Sequence, residues 1–218
     1  EFMRNPQHVQ VSAQNAIAAT ITHRVHPVDG SRKRDLLIDI LTKRHGDQVL
    51  IFGKTKHGCN RLAEQLETAG LPAVAIHGNK SQAQRQKALN QFKSGKARIL
   101  VATDVAARGL DIPNLPLVIN HDLPMVAEDY IHRIGRTGRA GEPGLAISFV
   151  TADNEAHFAL IEKRNGLALV REQIEGFEPT DAPIQQAVDV ASVPGTGGIK
   201  GKRPSKKDRL RAAAASSD

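Results

Sequence analysis

The sequence of 218 residues is long enough for one folded domain with extensions, and its hydrophobic content of 40% fits a globular protein. Aromatic residues make up only 3% of it, which argues against a sheet of aromatic side chains that stack on bases. Any contact with nucleic acid is therefore expected to involve phosphate and sugar, and to be largely independent of base sequence. The net charge of +7 is concentrated near the C-terminus, where residues 200–211 hold seven basic residues and one acid.

From residue 20 onwards, short apolar runs alternate with amphipathic segments. Such alternation predicts an α/β domain with a parallel sheet, in which ligands bind beyond the carboxyl ends of the strands. Ser81 is the predicted N-cap of the third helix, Gly70 and Gly95 end the second and third, and Asp153 caps the last. The predicted order is strand 20–28, helix 32–43, strand 48–52, helix 56–69, strand 73–76, helix 82–92, strand 98–102, strand 116–120, helix 128–134, strand 145–150 and a helix to residue 164.

The strand at 48–52 is followed by Gly53-Lys54-Thr55, which looks like the end of a phosphate-binding P-loop. A P-loop also needs a glycine five residues before the glycine of its Gly-Lys pair. That position is Gln48, at the start of the strand, so there is no room for a loop that wraps a phosphate. We reject the P-loop and keep Lys54 and Thr55 as candidates for contact with a nucleic-acid phosphate.

Two further loops carry polar residues beside predicted elements. Gln82 and Arg85 share a face at the start of the third helix, where the helix N-terminus favours anions. The alternative is an ordinary solvated helix face. After the strand at 98–102 come Thr103, suited to a phosphate, and then Gly109 and Asp111, suited to close approach and to ribose hydroxyls. Here the alternative is a loop whose carboxylates are simple caps.

The run His132–Arg139 (HRIGRTGR) is the most informative segment, since Arg133, Arg136 and Arg139 recur every three residues between glycines. Arginine carries a permanent charge and a planar fork of donors that suits phosphate oxygens. A basic helix end paired with surface carboxylates would not explain the interleaved glycines. The run therefore predicts contact with a polyphosphate or a nucleic-acid backbone.

Together these segments resemble the second RecA-like domain of DEAD-box RNA helicases, within superfamily 2. Residues 50–55 resemble motif IV, residues 82–85 the QxxR element and residues 102–111 (ATDVAARGLD) motif V. Residues 122–124 (DLP) match the DxP element, and HRIGRTGR matches motif VI. The order and spacing agree over residues 20–165. The segments KHGCNRLAEQL and IHGNKSQ are most similar to the bacterial RhlE-type branch.

The resemblance implies an α/β fold, a three-layer RecA-like domain with a mainly parallel central sheet, over residues 20–180. Residues 1–19 are expected to be a cloning remnant and the end of an inter-domain segment, and residues 181–218 a flexible basic tail. The Walker A, DEAD, SAT and Q motifs of the family's first domain do not occur in the sequence. The chain is therefore expected to be half of an enzyme, inactive by itself.

The resemblance also implies a role for each candidate residue. In the family, ATP with Mg²⁺ lies between two RecA-like domains, held mainly by the N-terminal one, and RNA crosses both. Arg136 and Arg139 are then the arginine fingers that meet the γ-phosphate, and Gly109 and Asp111 face the ribose. Lys54, Thr55, Gln82, Arg85 and Thr103 hold RNA phosphates, whereas Arg108, His132 and Arg133 couple the two domains.

Two other functions remain open from the sequence: a DNA helicase domain of the same superfamily, and a non-catalytic module that binds RNA or protein. A single cysteine, Cys59, excludes an intramolecular disulfide and is expected to be a buried structural thiol. No signal peptide, membrane-length apolar run or metal-binding Cys/His spacing is evident, so we expect a cytoplasmic protein without a metal site of its own. Nothing in the sequence indicates an oligomeric state.

Overall fold

The computed structural model describes residues 21–110, 112, 115–138 and 142–181. The predicted segment at 1–19 and the predicted tail beyond residue 181 lie outside the described residues. Among the candidate site residues, Asp111 and Arg139 also lie outside them.

Six strands form one sheet in the order β1-β6-β5-β2-β4-β3, and every pairing between them is parallel. The mainly parallel sheet is therefore confirmed. Strands that follow one another along the chain are connected through helices, as a parallel sheet requires. The strands are β1 (Ile21–Pro27), β2 (Val49–Phe52), β3 (Ala73–Ile76), β4 (Ile99–Ala102), β5 (Leu117–Asn120) and β6 (Gly144–Val150).

In the part of the chain that the structure describes, six α-helices connect or follow these strands. Short 3₁₀ turns, Gly30–Arg32 and Ala152–Asn154, lead into the first and the last of them. The helices are α1 (Lys33–Lys43), α2 (Lys56–Thr68), α3 (Gln82–Lys93), α4 (Asp104–Ala107), α5 (Asp129–Ile134) and α6 (Glu155–Asn165).

The helices cover both faces of the sheet, which confirms the three-layer α/β architecture. On one face, α1 and α2 bury leucines such as Leu37 and Leu66 against Ile51 and Val101. On the other face, Phe92 of α3 and the alanines of α4 pack against Leu50 and its neighbours. Beside them, α5 and α6 pack against β1 and β6. Alternate residues of each strand thus serve opposite layers, as the two-residue period of a strand dictates.

Most boundaries agree with the sequence predictions to within one residue, and the capping chemistry explains why. Ser81 forms the predicted N-cap: its Oγ accepts the N–H of Gln84, whose side chain accepts the N–H of Ser81 in return. Gly95 has the positive φ of 75° expected after a helix end.

Two local predictions were wrong. Residues 104–107 form the helix α4 instead of the predicted polar loop, because one helical turn is too short to show a period. Asp153 does not cap α6; its carboxylate accepts the Thr151 hydroxyl, and Asn154 precedes the helix. Residues 152–154 form a 3₁₀ turn, so the residue that directly precedes α6 is Asn154, one position after the predicted cap.

The segment that follows α6 covers the free edge of β1. The N–H of Glu172 donates to the carbonyl of Val25 at 2.8 Å, and Arg171 forms a parallel bridge with Val25. Further along, the carboxylate of Asp29 accepts the N–H groups of Thr180 and Asp181. These contacts occupy an edge whose backbone groups would otherwise be exposed.

Candidate functional site

The candidate residues gather at the carboxyl edge of the sheet. Lys54 and Thr55 follow β2, Thr103 follows β4, and Gln82 and Arg85 begin the helix after β3. Because β2, β4 and β3 are neighbours in the sheet, these three loops lie side by side. The five residues predicted to hold RNA phosphates therefore form one row along the edge. The order of the loops in this row is the order of the strands, β2-β4-β3.

The loop after β2 confirms why a P-loop does not fit. The strand runs to Phe52 and α2 begins at Lys56, which leaves three residues between them. The Oγ of Thr55 accepts the N–H of Gly58 at 2.9 Å and so caps α2. Thr55 therefore has a structural role that the sequence reading had not assigned, and its hydroxyl hydrogen is left to donate to a ligand. Lys54 is exposed.

Gly53 packs against the single cysteine. A Cβ at Gly53 would lie 2.8 Å from the Sγ of Cys59, so only glycine allows this approach. Cys59 is buried, as predicted. Burial raises the pKa of its thiol to about 11 from an ordinary value of 9.0, and the charge of Asp122 adds to this effect. The thiol is accordingly a packing group and a poor nucleophile at neutral pH.

This raised pKa makes the stability of the domain depend on alkaline pH. Below the unfolded pKa of about 9 the contribution of Cys59 is fully present, and it is lost as the pH rises towards the folded value of about 11. We expect the free energy of unfolding to fall more between about pH 8 and pH 10.5 in the wild type than in Cys59→Ala. Urea titrations at both pH values measure this, and equal losses in the two proteins would contradict it.

Arg133 is the centre of a buried polar network. Its side chain is 2% exposed. The guanidinium donates to both carboxylate oxygens of Asp104, at 2.6 and 2.7 Å, and through Nη1 to Asn120 Oδ1 at 3.1 Å and the Asp122 carbonyl at 2.6 Å. Its face lies over the Phe52 ring, 4.8 Å from the centroid. These contacts provide acceptors for N–H groups on Nε, Nη1 and Nη2 of the guanidinium, as a buried arginine requires.

This placement corrects the role expected for Arg133. We predicted that it would contact another domain, but its guanidinium is enclosed within this one. The physical reason is the helical period: Arg133 shares the inward face of α5 with Tyr130 and Ile134, whereas His132 points out. Arg133 therefore positions α4 and α5 relative to each other by binding Asp104.

A shallow cleft lies between α4 and α5. Arg108 on its rim is exposed and donates to the carboxylate of Asp129 at 2.5 Å. His132 is exposed, and the half-buried Arg136 donates to the carbonyl of Leu110 at 3.4 Å. The cleft is lined by Asp104, Arg108, Asp129, His132, Arg133 and Arg136. The structure thus brings together four of the predicted site residues, Arg108, His132, Arg133 and Arg136.

The glycines of the arginine run have different roles. Gly138 has a φ of 66°, so the chain turns there in a conformation that favours glycine. Gly135 ends α5 with a φ of −64°, which any residue adopts. Beside this turn, the Thr137 hydroxyl donates to the Leu115 carbonyl, and the Leu115 N–H donates to the Arg136 carbonyl. The backbone of Arg136 is therefore fixed to the chain that enters β5.

Asp122, the first residue of the DxP element, is a further site residue whose role its sequence does not indicate. Its carboxylate accepts Lys33 Nζ at 2.5 Å and the N–H of Lys54 at 3.0 Å. Burial alone would raise the pKa of Asp122, but the approach of His121 Nδ1 to within 3.4 Å and the charge of Lys33 lower it well below its ordinary value. Asp122 is thus charged at neutral pH and anchors the loop of Lys54 to α1.

Two negative findings apply to the residues that the structure describes. No group of three or more His, Cys, Asp and Glu side chains is placed to hold a metal ion. None of the helices among them is both long and apolar enough to cross a membrane.

Comparison with known proteins identifies the family of the chain. The family model described as "Helicase conserved C-terminal domain" matches residues 32–141. ATP-dependent RNA helicase DbpA of Bacillus subtilis is 41% identical over 209 residues, which cover 96% of this chain and 42% of that protein. DEAD-box ATP-dependent RNA helicase 30 of Arabidopsis thaliana is 39% identical over 206 residues, which cover 94% of this chain and 34% of that protein. The chain thus spans less than half of these two relatives.

Solved structures show the same fold. The E. coli DEAD-box protein SrmB, solved in complex with a regulator of ribonuclease activity, matches with a TM-score of 0.70 and 33% identity, covering 75% of this chain and 97% of that one. A DEAD box protein from Methanococcus jannaschii matches with a TM-score of 0.68 and 40% identity, covering 73% of this chain and 43% of that one. With the motifs, the parallel sheet and these matches in agreement, the chain belongs to the helicase C-terminal domain family and is similar to the C-terminal RecA-like domain of DEAD-box proteins.

Proposed function

We propose that the full protein couples ATP hydrolysis to the unwinding or remodelling of RNA, and that this chain supplies the arginine side of a shared ATP site. The observation that supports this most is the position of Arg136. It lies in the cleft between α4 and α5 with its backbone fixed to the chain before β5. An arginine whose backbone is fixed in this way needs only a change of side-chain conformation to stabilise charge on a transferring phosphoryl group.

The cleft and the adjacent Gly109 are proposed to accept the nucleotide. Gly109, with a φ of 73°, has open space where a Cβ would be, so a ligand has access to the backbone there. We assign Gly109 and Asp111 to the ribose, and Arg136 and Arg139 to the γ-phosphate. Arg108 and His132 remain exposed at the rim and are assigned to contact with the N-terminal domain. When bound, ATP supplies the phosphoryl bond that is broken. We assign the binding of ATP and Mg²⁺ mainly to the N-terminal domain.

The row of Lys54, Thr55, Gln82, Arg85 and Thr103 is assigned to the RNA backbone. Its donors are ammonium, hydroxyl, amide and guanidinium groups, which contact phosphate oxygens without reading bases. RNA binding by the row is therefore proposed to be independent of sequence. Thr103 directly precedes Asp104, which binds Arg133, so the RNA row and the nucleotide cleft share the loop after β4.

Two finer assignments rest on the sequence. The segments KHGCNRLAEQL and IHGNKSQ support membership of the RhlE-type branch. We also propose a cytoplasmic location, which the single cysteine supports because a reducing compartment does not select for disulfides.

The proposal is tested by ATP hydrolysis with and without RNA. We expect the full two-domain protein to hydrolyse ATP when single-stranded RNA is added, and DNA of the same sequence to stimulate less. The present chain alone should show no hydrolysis above background under either condition, because it has no phosphate loop. RNA-stimulated turnover by the chain alone would contradict the shared site, and equal stimulation by DNA would favour a DNA helicase.

The basic C-terminal segment is proposed to add RNA affinity by releasing counterions. Removing residues 185–218 should weaken RNA binding by the full protein and reduce the slope of log Kd against log salt, since seven basic residues are lost. Removing residues 212–218 alone is the matched control, because this segment contains no basic residue. Fluorescence anisotropy over a salt series measures both. An unchanged slope in the longer deletion would assign the segment a different role.

A further inference from the structure

Three neighbouring strands present a row of side chains beneath α5. Phe52 of β2, Asn120 of β5 and Ser148 of β6 are cross-strand partners, so they lie side by side on one face of the sheet. All three side chains are buried, and Asn120 and Ser148 are fully inaccessible. A polar pair in the middle of a parallel sheet is costly unless its groups are hydrogen-bonded, and an apolar residue would fill the same space.

The polar groups of this row are bonded to α5 at two points. Asn120 Oδ1 accepts from Arg133, and Asn120 Nδ2 donates to Ser148 Oγ at 3.1 Å. The Ser148 hydroxyl lies 3.4 Å from the hydroxyl oxygen of Tyr130, which is also fully buried. Tyr130 and Arg133 are three residues apart on the inward face of α5. Asn120 is therefore connected to both, directly to one and through Ser148 to the other.

The geometry of the two elements makes this connection sensitive to register. Three residues of an α-helix rise by about 4.5 Å, and neighbouring strands are about 4.8 Å apart. Tyr130 and Arg133 can thus meet adjacent strands at the same time, Tyr130 over β6 and Arg133 over β5 and β2. A shift of α5 by one residue along its axis would break both contacts. It would leave buried polar groups without hydrogen-bond partners, which costs free energy for each unpaired group.

We propose that Asn120, together with Ser148, is a positioning residue for the arginine run. It sets the register of α5 across the sheet, and so directs Arg136 into the cleft. Arg136 lies two residues after the end of α5, and its N–H donates to the carbonyl of Arg133 at 3.2 Å. A displacement of Arg133 therefore also displaces Arg136. This inference rests on the proposed function for its effect on turnover, but not for its effect on the conformation of the chain.

The first test is independent of activity and uses the present chain. In Asn120→Leu, hydrogen exchange of the amides of Gly135, Arg136 and Thr137 should be at least tenfold faster than in the wild type. The amides of β2 should be unchanged. Ile119→Val is the matched control: Ile119 is the preceding buried residue of the same strand, and it packs in the opposite layer. Unchanged exchange at residues 135–137 in Asn120→Leu, or equal acceleration in Ile119→Val, would overturn the proposal.

The second test uses RNA-stimulated hydrolysis by the full two-domain protein, at a temperature where every variant is folded. Asn120→Leu should lower kcat at least tenfold and leave the KM for ATP and the Kd for RNA within twofold. The isosteric Asn120→Asp keeps the acceptor for Arg133 and should restore most of kcat. If Asn120→Leu does not fold, Ser148→Ala removes the acceptor of the Asn120 amide and the link to Tyr130 but keeps the bond from Arg133 to Asn120, and a kcat equal to the wild type would then overturn the proposal. A wild-type protein without RNA-stimulated hydrolysis would instead contradict the proposed function, and the exchange experiment would still decide the role of Asn120.

Discussion

Arg136→Ala in the full two-domain protein is expected to slow RNA-stimulated ATP hydrolysis by about 10³-fold or more, which is the usual effect of an arginine finger. The guanidinium of Arg136 acts only on charge that develops during transfer, so its loss should appear in kcat. RNA affinity should stay within about twofold, because the row assigned to RNA lies on other loops. Steady-state kinetics and RNA anisotropy measure the two effects on the same samples.

The matched control for this substitution is Arg164→Ala. Arg164 is an exposed arginine near the end of a helix, on α6, whereas Arg136 is half-buried. Its removal changes the net charge by the same amount and should leave kcat within about twofold, as expected for a surface residue. A comparable fall in kcat for Arg164→Ala would show that total charge matters. A parallel loss of RNA binding in Arg136→Ala would assign Arg136 to RNA instead of the γ-phosphate.

Arg133→Met is expected to destabilise the domain by about 3 kcal/mol, the lower end of the range for breaking a buried ion pair. The lower end applies because Asp104, which would be left without its partner, is 26% exposed and partly solvated. For a domain of this size the melting temperature should fall by roughly 6–12 °C. Thermal unfolding of the present chain, followed by circular dichroism, measures the change.

The domain itself provides the control, in the pair of Arg108 and Asp129. This pair has a similarly short distance of 2.5 Å, but the Arg108 side chain is 61% exposed. Arg108→Met should therefore cost about 1 kcal/mol at most. Adding Asp104→Leu to Arg133→Met should recover part of the lost stability, since no buried charge then remains. Equal effects of Arg108→Met and Arg133→Met would contradict the burial argument.

The elements that sequence predicted well are those whose signals are local. The N-cap at Ser81, the turn at Gly95 and the buried run of β2 are each set by residues within one or two turns. The helix α4 was missed because four residues give no period. The cap at Asp153 was wrong because a 3₁₀ turn precedes α6.

The candidate site also contains both residues whose position the sequence predicted and residues whose position it did not. The positions of His132, Arg108 and Arg136 in one cleft followed from motif order and from the parallel sheet. The burial of Arg133 did not, because its partner Asp104 lies 29 residues away along the chain and no local pattern joins them. One signal was available: Arg133 follows Tyr130 by three residues and precedes Ile134, which places it on the apolar face of a helix.

The two arginines of the run that the structure describes thus have different roles. Arg133 is a buried structural residue that binds Asp104, whereas Arg136 faces the cleft. A crystal structure of the full protein with single-stranded RNA and a non-hydrolysable ATP analogue tests this division most directly. We predict that the guanidinium of Arg136 lies at hydrogen-bond distance, about 3 Å, from an oxygen of the γ-phosphate, with Arg133 still bound to Asp104. An Arg136 side chain directed away from the nucleotide, or an Arg133 that leaves Asp104 to contact the phosphate, would contradict the account.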